Sequence, residues 1–412
     1  MLTILLLALL GCKKEPIAPE PPAPPVPPTP KPKLEILWKV PAMPDTSECG
    51  TTTHALSNGN AVFSNSFVSP SFVQMRDGET GKLIWKHVYP SGGFILEQIL
   101  ANEDRVFINN WDRTVAVNAQ TGQTDWDDDI SATGEREILF DVKGDYIYAN
   151  HFRGGKPKTY TSSIVRTHCL DGHHWDTLLS INAQPGYSLN IYPPSLWLNP
   201  QGDTVLIVRE NGFVNVGQPL HEGRTNLASL YAFNLRTRQY EWQRYDFEDE
   251  WSFSIFPPLI ENGRLYINCR KTTYCVDLLT GNTLWRKDFE YFMNGNPLSH
   301  KNLVVVQSNH QGMWGLDKST GAIVWYNPDI AGSPLSGLAY FDGVAYFTST
   351  GTGMLYAVNA ETGKTIWAER SPNYSSRTPN VSFGWSGVVI DPLRRVLFVS
   401  DNYWLMCVKL PV

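Results

Sequence analysis

Positive charge is in short supply in this chain: 34 lysines and arginines stand against 40 aspartates and glutamates, a formal net charge of −6 at pH 7. No Lys/Arg-rich stripe is present to neutralise phosphates, which argues against a nucleic-acid partner. Cysteine is sparse as well. Cys12 closes an apolar run at the front of the chain, and Cys49, Cys169, Cys269, Cys275 and Cys407 form an odd set that fits no complete disulfide framework. Cys269 and Cys275 fall on adjacent strands of one hairpin, but a two-residue turn at Arg270-Lys271 sets Cys269 opposite Thr272, so no bridge between them is expected. The apolar run from Leu2 to Leu10 is too short to span a bilayer, which takes about 20 apolar residues. Catalytic signatures are missing too, with no Gly-x-Ser-x-Gly elbow, phosphate-cradling loop or His-Glu-x-x-His sequence.

What the chain does have is tryptophan at regular intervals. Trp38, Trp85, Trp126, Trp175, Trp242, Trp285, Trp325 and Trp367 are separated by 47, 41, 49, 67, 43, 40 and 42 residues. Most follow one phrase, best seen in Asp277-Leu-Leu-Thr-Gly-Asn-Thr-Leu-Trp285, Asp317-Lys-Ser-Thr-Gly-Ala-Ile-Val-Trp325 and Asn359-Ala-Glu-Thr-Gly-Lys-Thr-Ile-Trp367. A strand-rich repeat with a period of roughly 40 to 45 residues predicts a β-propeller, one four-stranded blade per repeat. Each part of the phrase has a task. The acidic or amide residue bonds to the backbone of the turn that follows it. Glycine supplies a positive φ. Tryptophan is large enough to bridge one blade to the next, its indole N–H needing a partner once buried.

A second series supports the count. Turn signals precede apolar strands at Ala61 to Phe63, Val106 to Ile108, Tyr146 to Tyr148, Val205 to Val208, Leu265 to Ile267, Leu303 to Val306, Val344 to Phe347 and Val396 to Val399. The expectation is an all-β, eight-bladed propeller of four-stranded antiparallel blades over residues 34–412. Three strands remain after Trp367 and a lone strand, Leu34 to Val40, precedes the first full blade, so the N-terminal strand is predicted to close the last blade and remove its open edge. The repeat between Trp175 and Trp242 is overlong, and its phrase has lost its glycine; an insertion is expected in the loop-like stretch Asn211 to Asn226. The third phrase is degenerate, reading Cys169-Leu-Asp-Gly-His-His-Trp175.

The front of the chain reads as an address. Residues 1–11 suit a secretory signal, and Leu9-Leu10-Gly11-Cys12 resembles the bacterial lipobox, which implies acylation of Cys12 as the mature N-terminus. Lys13 after the cysteine implies the outer membrane by lipoprotein sorting habits. Residues 12–33 then form a tether, with ten prolines between 16 and 32. Extended polyproline at about 3 Å per residue would hold the ring roughly 50 Å from a bilayer.

The phrase as a whole, with Ala or Val ahead of the Asp or Asn, then Thr-Gly, then Trp, resembles the repeat of pyrroloquinoline-quinone (PQQ)-like propellers. That resemblance implies one of two branches: quinoprotein dehydrogenases that hold the quinone and calcium, or non-enzymatic outer-membrane lipoproteins similar to BamB, which present loops to protein partners. The adjacent Cys-Cys pair typical of many of the former is absent. Asp127-Asp-Asp129 and Glu248-Asp-Glu250 lack calcium-loop spacing and read as solvated charge. His168, Cys169, His173 and His174 are zinc-compatible types, but in a strand alternate side chains point to opposite faces, so they are not expected to converge. No cofactor or metal is therefore expected. The expected function is a membrane-anchored, non-enzymatic binding scaffold at the outer membrane; the alternative is a PQQ/calcium-dependent dehydrogenase or a sugar-binding propeller. Candidate contacts at the ring mouth are His54, Glu97, Asn296, Ser333 and Arg377, for which strand-start and turn duty is the competing role.

Overall fold

In a computed structural model of the chain, the described residues are 34–43, 51–65, 71–89, 99–110, 112–153, 161–172, 175–182, 187–214, 226–247, 254, 256–332, 337–375, 381–383 and 387–410. Within them lie eight antiparallel sheets of four strands each. Blades 1 to 7 begin at Thr51–Ser57, Ile99–Ala101, Glu135–Lys143, Tyr187–Leu198, Leu259–Glu261, Met293–His300 and Ala339–Phe341. Every one runs its four strands outward in chain order. First strands of neighbouring blades meet between blades 1 and 2, 2 and 3, 3 and 4, 5 and 6, 7 and 8, and 8 and 1, and so line the axis. Blade 8 has only Val389–Asp391, Val396–Ser400 and Trp404–Lys409 from the C-terminal end; its outermost strand is Ile36–Pro41, paired antiparallel with Lys39 opposite Met406. The predicted clasp is thus present, and it turns an open sheet edge into a ladder joining the two ends of the ring.

Burial explains why these segments form strands. The second and third strands of a blade are covered on both faces, so Ala61, Val62 and Phe63 are all fully buried and the run reads as continuously apolar. Turns of the Asn-Gly or Asp-Gly kind start the second strands of several blades; Asn58 and Gly59 have φ of 49° and 74°, which suits the tight primed hairpin. In the fourth strands of blades 1, 2 and 5 a single position is buried, and that position is tryptophan: Trp85, Trp126 and Trp285 lie between exposed neighbours. A bulge sets this up. Met75 pairs with Trp85 while Arg76 pairs with Leu83, leaving Ile84 unpaired; Val324 and Ile366 are skipped in the same way. The extra residue twists the edge strand and re-aims the indole at the next blade.

Blade-to-blade cohesion comes from that indole and the phrase it faces. Trp242 of blade 4 donates its Nε1–H to the carbonyl of Leu278 in the blade 5 phrase at 2.8 Å. A methyl group on Gly281 of that phrase would lie 2.7 Å from Trp242 Cδ2, so glycine is needed both for its φ of 73° and for the room it leaves. Trp38, Trp85, Trp126, Trp285 and Trp325 donate in the same way to Gly78, Ala119, Cys169, Lys318 and Ala360, at 2.8 to 3.2 Å. Inside the phrase, Asp277 Oδ1 accepts from the Leu279 and Thr280 amides and the Thr280 hydroxyl. In the equivalent turns the Thr80 and Thr320 hydroxyls hold Asp77 and Asp317 below the usual carboxylate range.

Two departures are instructive. The degenerate blade 3 phrase makes the same turn, with His168 Nδ1 accepting from the Leu170 amide where an aspartate would, and Gly172 at φ 68° against Trp126. In blade 4 the glycine position is Arg238, held at φ 58°, and its Nη2 reaches back to the Thr177 carbonyl of blade 3. Trp175 starts the fourth strand of blade 3, but its side chain lies outside the described residues. Trp367 meets no phrase, because blade 8 takes its fourth strand from the N-terminal segment; it packs with Met406, Val408 and Leu410 instead. The insertion between Trp175 and Trp242 is only partly a loop. Asn211 to Val214 continue the second strand, Thr204–Val214, with Asn211 opposite Ala228, because extending a hairpin satisfies backbone groups that a loose loop would leave to solvent.

Candidate functional site: the loop face of the ring

Antiparallel blades sort their connections onto two faces. First-to-second and third-to-fourth connections lie on one face, and among the described residues they are short turns. The other face collects second-to-third connections and blade-to-blade crossings, of which 270–271, 289–292, 309–310 and 371–375 are among the described residues. Long connections on a rigid scaffold are where binding residues concentrate.

Below these loops runs a belt of buried polar side chains that sequence reasoning missed. Five residues after the turn in seven blades, and six in blade 4, the apolar run of the second strand ends in a polar residue: Ser64, Asn109, Asn150, Arg209, Asn268, Gln307, Thr348 and Ser400, none more than 5% exposed. The signal was present as a polar residue terminating each apolar run, but it is masked by the run before it. Several of these side chains stitch their blade to the next. Asn150 Nδ2 donates to the Ile191 carbonyl at 3.0 Å, and Asn268 Nδ2 to the Gly295 carbonyl at 3.1 Å. Asn109 Nδ2 donates to Thr114 Oγ1, whose hydroxyl donates to Glu137 Oε2 on the first strand of blade 3 at 2.6 Å. Burial pushes the Glu137 carboxyl up to about 7 against the opposing effect of the Thr114 hydroxyl. Arg209 is fully buried with no carboxylate among its hydrogen-bond partners; its guanidinium donates to the carbonyls of Pro193, Ser254 and Phe256. Gln307 keeps both amide atoms without a hydrogen-bond partner.

Of the predicted mouth residues, the structure describes one side chain. Asn296 donates from Nδ2 to the Leu338 carbonyl at 3.1 Å and accepts the Leu338 amide on Oδ1 at 2.6 Å, a two-point clasp that fixes the start of blade 7. That is strand-start duty. His54 lies on the first strand of blade 1 with its side chain outside the described residues, and Glu97, Ser333 and Arg377 fall outside them altogether. Asp127 and Asp129 both pair with Arg113. Cys169 is buried, its thiol pushed up to about 11 by desolvation and its carbonyl taken by Trp126, while His173 and His174 lie outside the described residues. Cys269 stands opposite Thr272 and Cys275 opposite Tyr266, and neither is in a disulfide. Glu248 to Glu250, Cys12 and residues 12–33 are outside the described residues.

This architecture is that of an eight-bladed propeller whose blades are locked by a tryptophan and a Thr-Gly turn. A family profile described as "Outer membrane protein assembly factor BamB" matches residues 227–407, from the third strand of blade 4 into blade 8. Over 83 residues the chain is 34% identical to an outer membrane protein assembly factor BamB from Xanthomonas campestris pv. campestris, a stretch that is 20% of each protein. Over 84 residues it is 33% identical to the dehydrogenase subunit of a quinone alcohol dehydrogenase from Gluconobacter oxydans, covering 18% of this chain and 11% of that one. The chain thus spans a fifth or less of the curated relatives it matches. The crystal structure of BamB from Moraxella catarrhalis shares the fold, with a TM-score of 0.60 and 14% identity over 92% of this chain and 100% of that one.

Proposed function

We propose that the protein is a lipid-anchored, non-enzymatic platform that presents its loop face to protein partners at the outer membrane. The observation that carries this reading is the asymmetry of the ring: among the described residues, one face is built of short turns, and the other carries the blade-to-blade crossings above a belt of buried polar stitches. Side chains of the kind that could hold a cofactor are occupied by the fold there, Asn150, Asn268 and Arg209 by backbone carbonyls and Glu137 by Thr114. The family profile over residues 227–407 supports the same reading. Acylation at Cys12 and a proline-rich tether over residues 12–33 would supply the anchor; no helix among the described residues is long and apolar enough to cross a membrane. The match to a quinone alcohol dehydrogenase subunit favours a second reading, a quinone- or sugar-binding propeller with dehydrogenase activity.

One experiment separates the two. The full chain and its Cys12→Ser variant are expressed in a Gram-negative host. The platform reading expects the unaltered chain to fractionate with the outer membrane and co-purify with outer-membrane assembly components, and the variant to be released. Saturable binding of quinone and calcium accompanied by dye-linked oxidation of an alcohol or sugar overturns it.

A further inference from the structure

The loop face carries a groove of about 510 Å³ between blades 5 and 6, lined by Lys271, Glu290, Tyr291, Phe292 and His310. Its volume falls in the range of ligand sites, roughly 300 to 1,000 Å³. Three observations mark it as a built surface. First, its backbone is fixed. The crossing between the blades is tied to the blade 5 hairpin by Phe289 N to Lys271 O at 2.7 Å and Met293 N to Arg270 O at 2.6 Å, and to blade 6 by Asn309 N to Phe292 O at 2.8 Å. Second, it stands on an aromatic footing. Phe289 packs on Trp314 at 4.8 Å, and Trp314 stacks on Tyr326 at 5.0 Å. Third, an exposed aromatic ring is ringed by cations. Phe292 is 38% exposed, with the Arg270 guanidinium 5.6 Å and the Lys271 ammonium 5.9 Å from its centroid. Tyr291 meets His310 edge to face at 5.9 Å.

We infer that this groove binds an extended segment of a protein partner in which an acidic side chain adjoins an aromatic or large aliphatic one. Arg270 and Lys271 supply two positive charges on a chain whose net charge is −6, so the patch opposes the prevailing sign and complements a carboxylate. Phe292 and Tyr291 offer apolar surface beside that charge, the pairing of aromatic anchor and charged rim found at binding hot spots. Glu290, which also lines the groove, disfavours a second acid next to it. The inference rests on the reading of the ring as a protein-binding platform and assigns that reading a place and a chemistry.

The test uses the full chain and a blocked synthetic heptapeptide in which a single aspartate precedes a phenylalanine, with a control carrying lysine in place of the aspartate. Saturable binding of the aspartate peptide is expected by calorimetry, weakening as salt rises from about 50 to 500 mM. Lys271→Glu and Phe292→Ala should each weaken it about tenfold or more, while Lys364→Glu on the turn face should leave it unchanged. Absence of saturable binding, equal binding of the lysine peptide, or indifference to both groove variants overturns the inference. Co-purification of outer-membrane components by the unaltered chain and equally by the Lys271→Glu, Phe292→Ala double variant defeats the groove alone; failure of the unaltered chain to co-purify them defeats the platform reading.

Discussion

At the residue scale the most constrained contact in the ring is a missing methyl group. Gly281 sits at φ 73° with the Trp242 ring where a Cβ would go. Gly281→Ala therefore adds left-handed strain of about 1 to 2 kcal/mol to a steric clash. In denaturant unfolding it should cost more than Trp242→Phe, which removes the indole bond to Leu278 and is expected to cost about 1 kcal/mol. Adding Trp242→Leu should relieve the clash and leave only the φ strain, so a double-mutant cycle should show coupling; strictly additive losses would contradict the interlock. Glu137 makes a second prediction, in pH. Its folded-state value of about 7 lies above the ordinary carboxylate value of 4.5, so the stability tied to its protonated form is fully present below about pH 4.5 and is lost as pH rises through 7. Glu137→Gln should remove that loss and stabilise the ring at pH 8 by up to about 3 kcal/mol, with little effect at pH 4, as read from thermal or denaturant midpoints. A variant equally or less stable than the unaltered chain at pH 8 would contradict the burial account.

At the scale of elements, what was legible in the sequence was what repeats. Each blade restates the same local instructions, so the phrase, the turn signals and the apolar second strands predict blade number and order, and the leftover strand at the front predicts the clasp. Features that depend on pairing were not legible. The bulge ahead of Trp85, Trp126, Trp242, Trp285, Trp325 and Trp367 exists only relative to the third strand, and in blade 3 it falls ahead of Leu179 rather than Trp175. The longer hairpin of blade 4 hid residues 211–214 in a composition that suits a loop. Arg238 is another case: it looks like a lost glycine, yet it holds a positive φ and binds back to Thr177. The clasp itself gives the element-scale prediction. Deleting residues 34–41 removes the partner strand of Trp404–Lys409 and the indole that faces Gly81, so the whole ring, not blade 8 alone, should melt at lower temperature. An unchanged melting temperature would mean that the strand is an ornament.

For the whole molecule, closure leaves no free sheet edge along the chain ends, and each blade depends on the two beside it. Such a ring is a stiff disc with one plain face and one elaborated face. The candidate site was less legible than the fold because loops do not repeat: Asn296, picked for its place at the start of a strand, proved to clasp Leu338, while the groove under Phe292 depends on two hairpins meeting a crossing, which no single segment announces. The account's central claim is that the loop face is the working face. It is tested most directly by placing a photo-crosslinking amino acid singly at Glu290 and Tyr374 on the loop face, and at Leu279 and Leu393 on the turn face, in cells expressing the full chain. Adducts to outer-membrane proteins from the first pair and not the second are the expected result; adducts from the turn face with none from the loop face would contradict it.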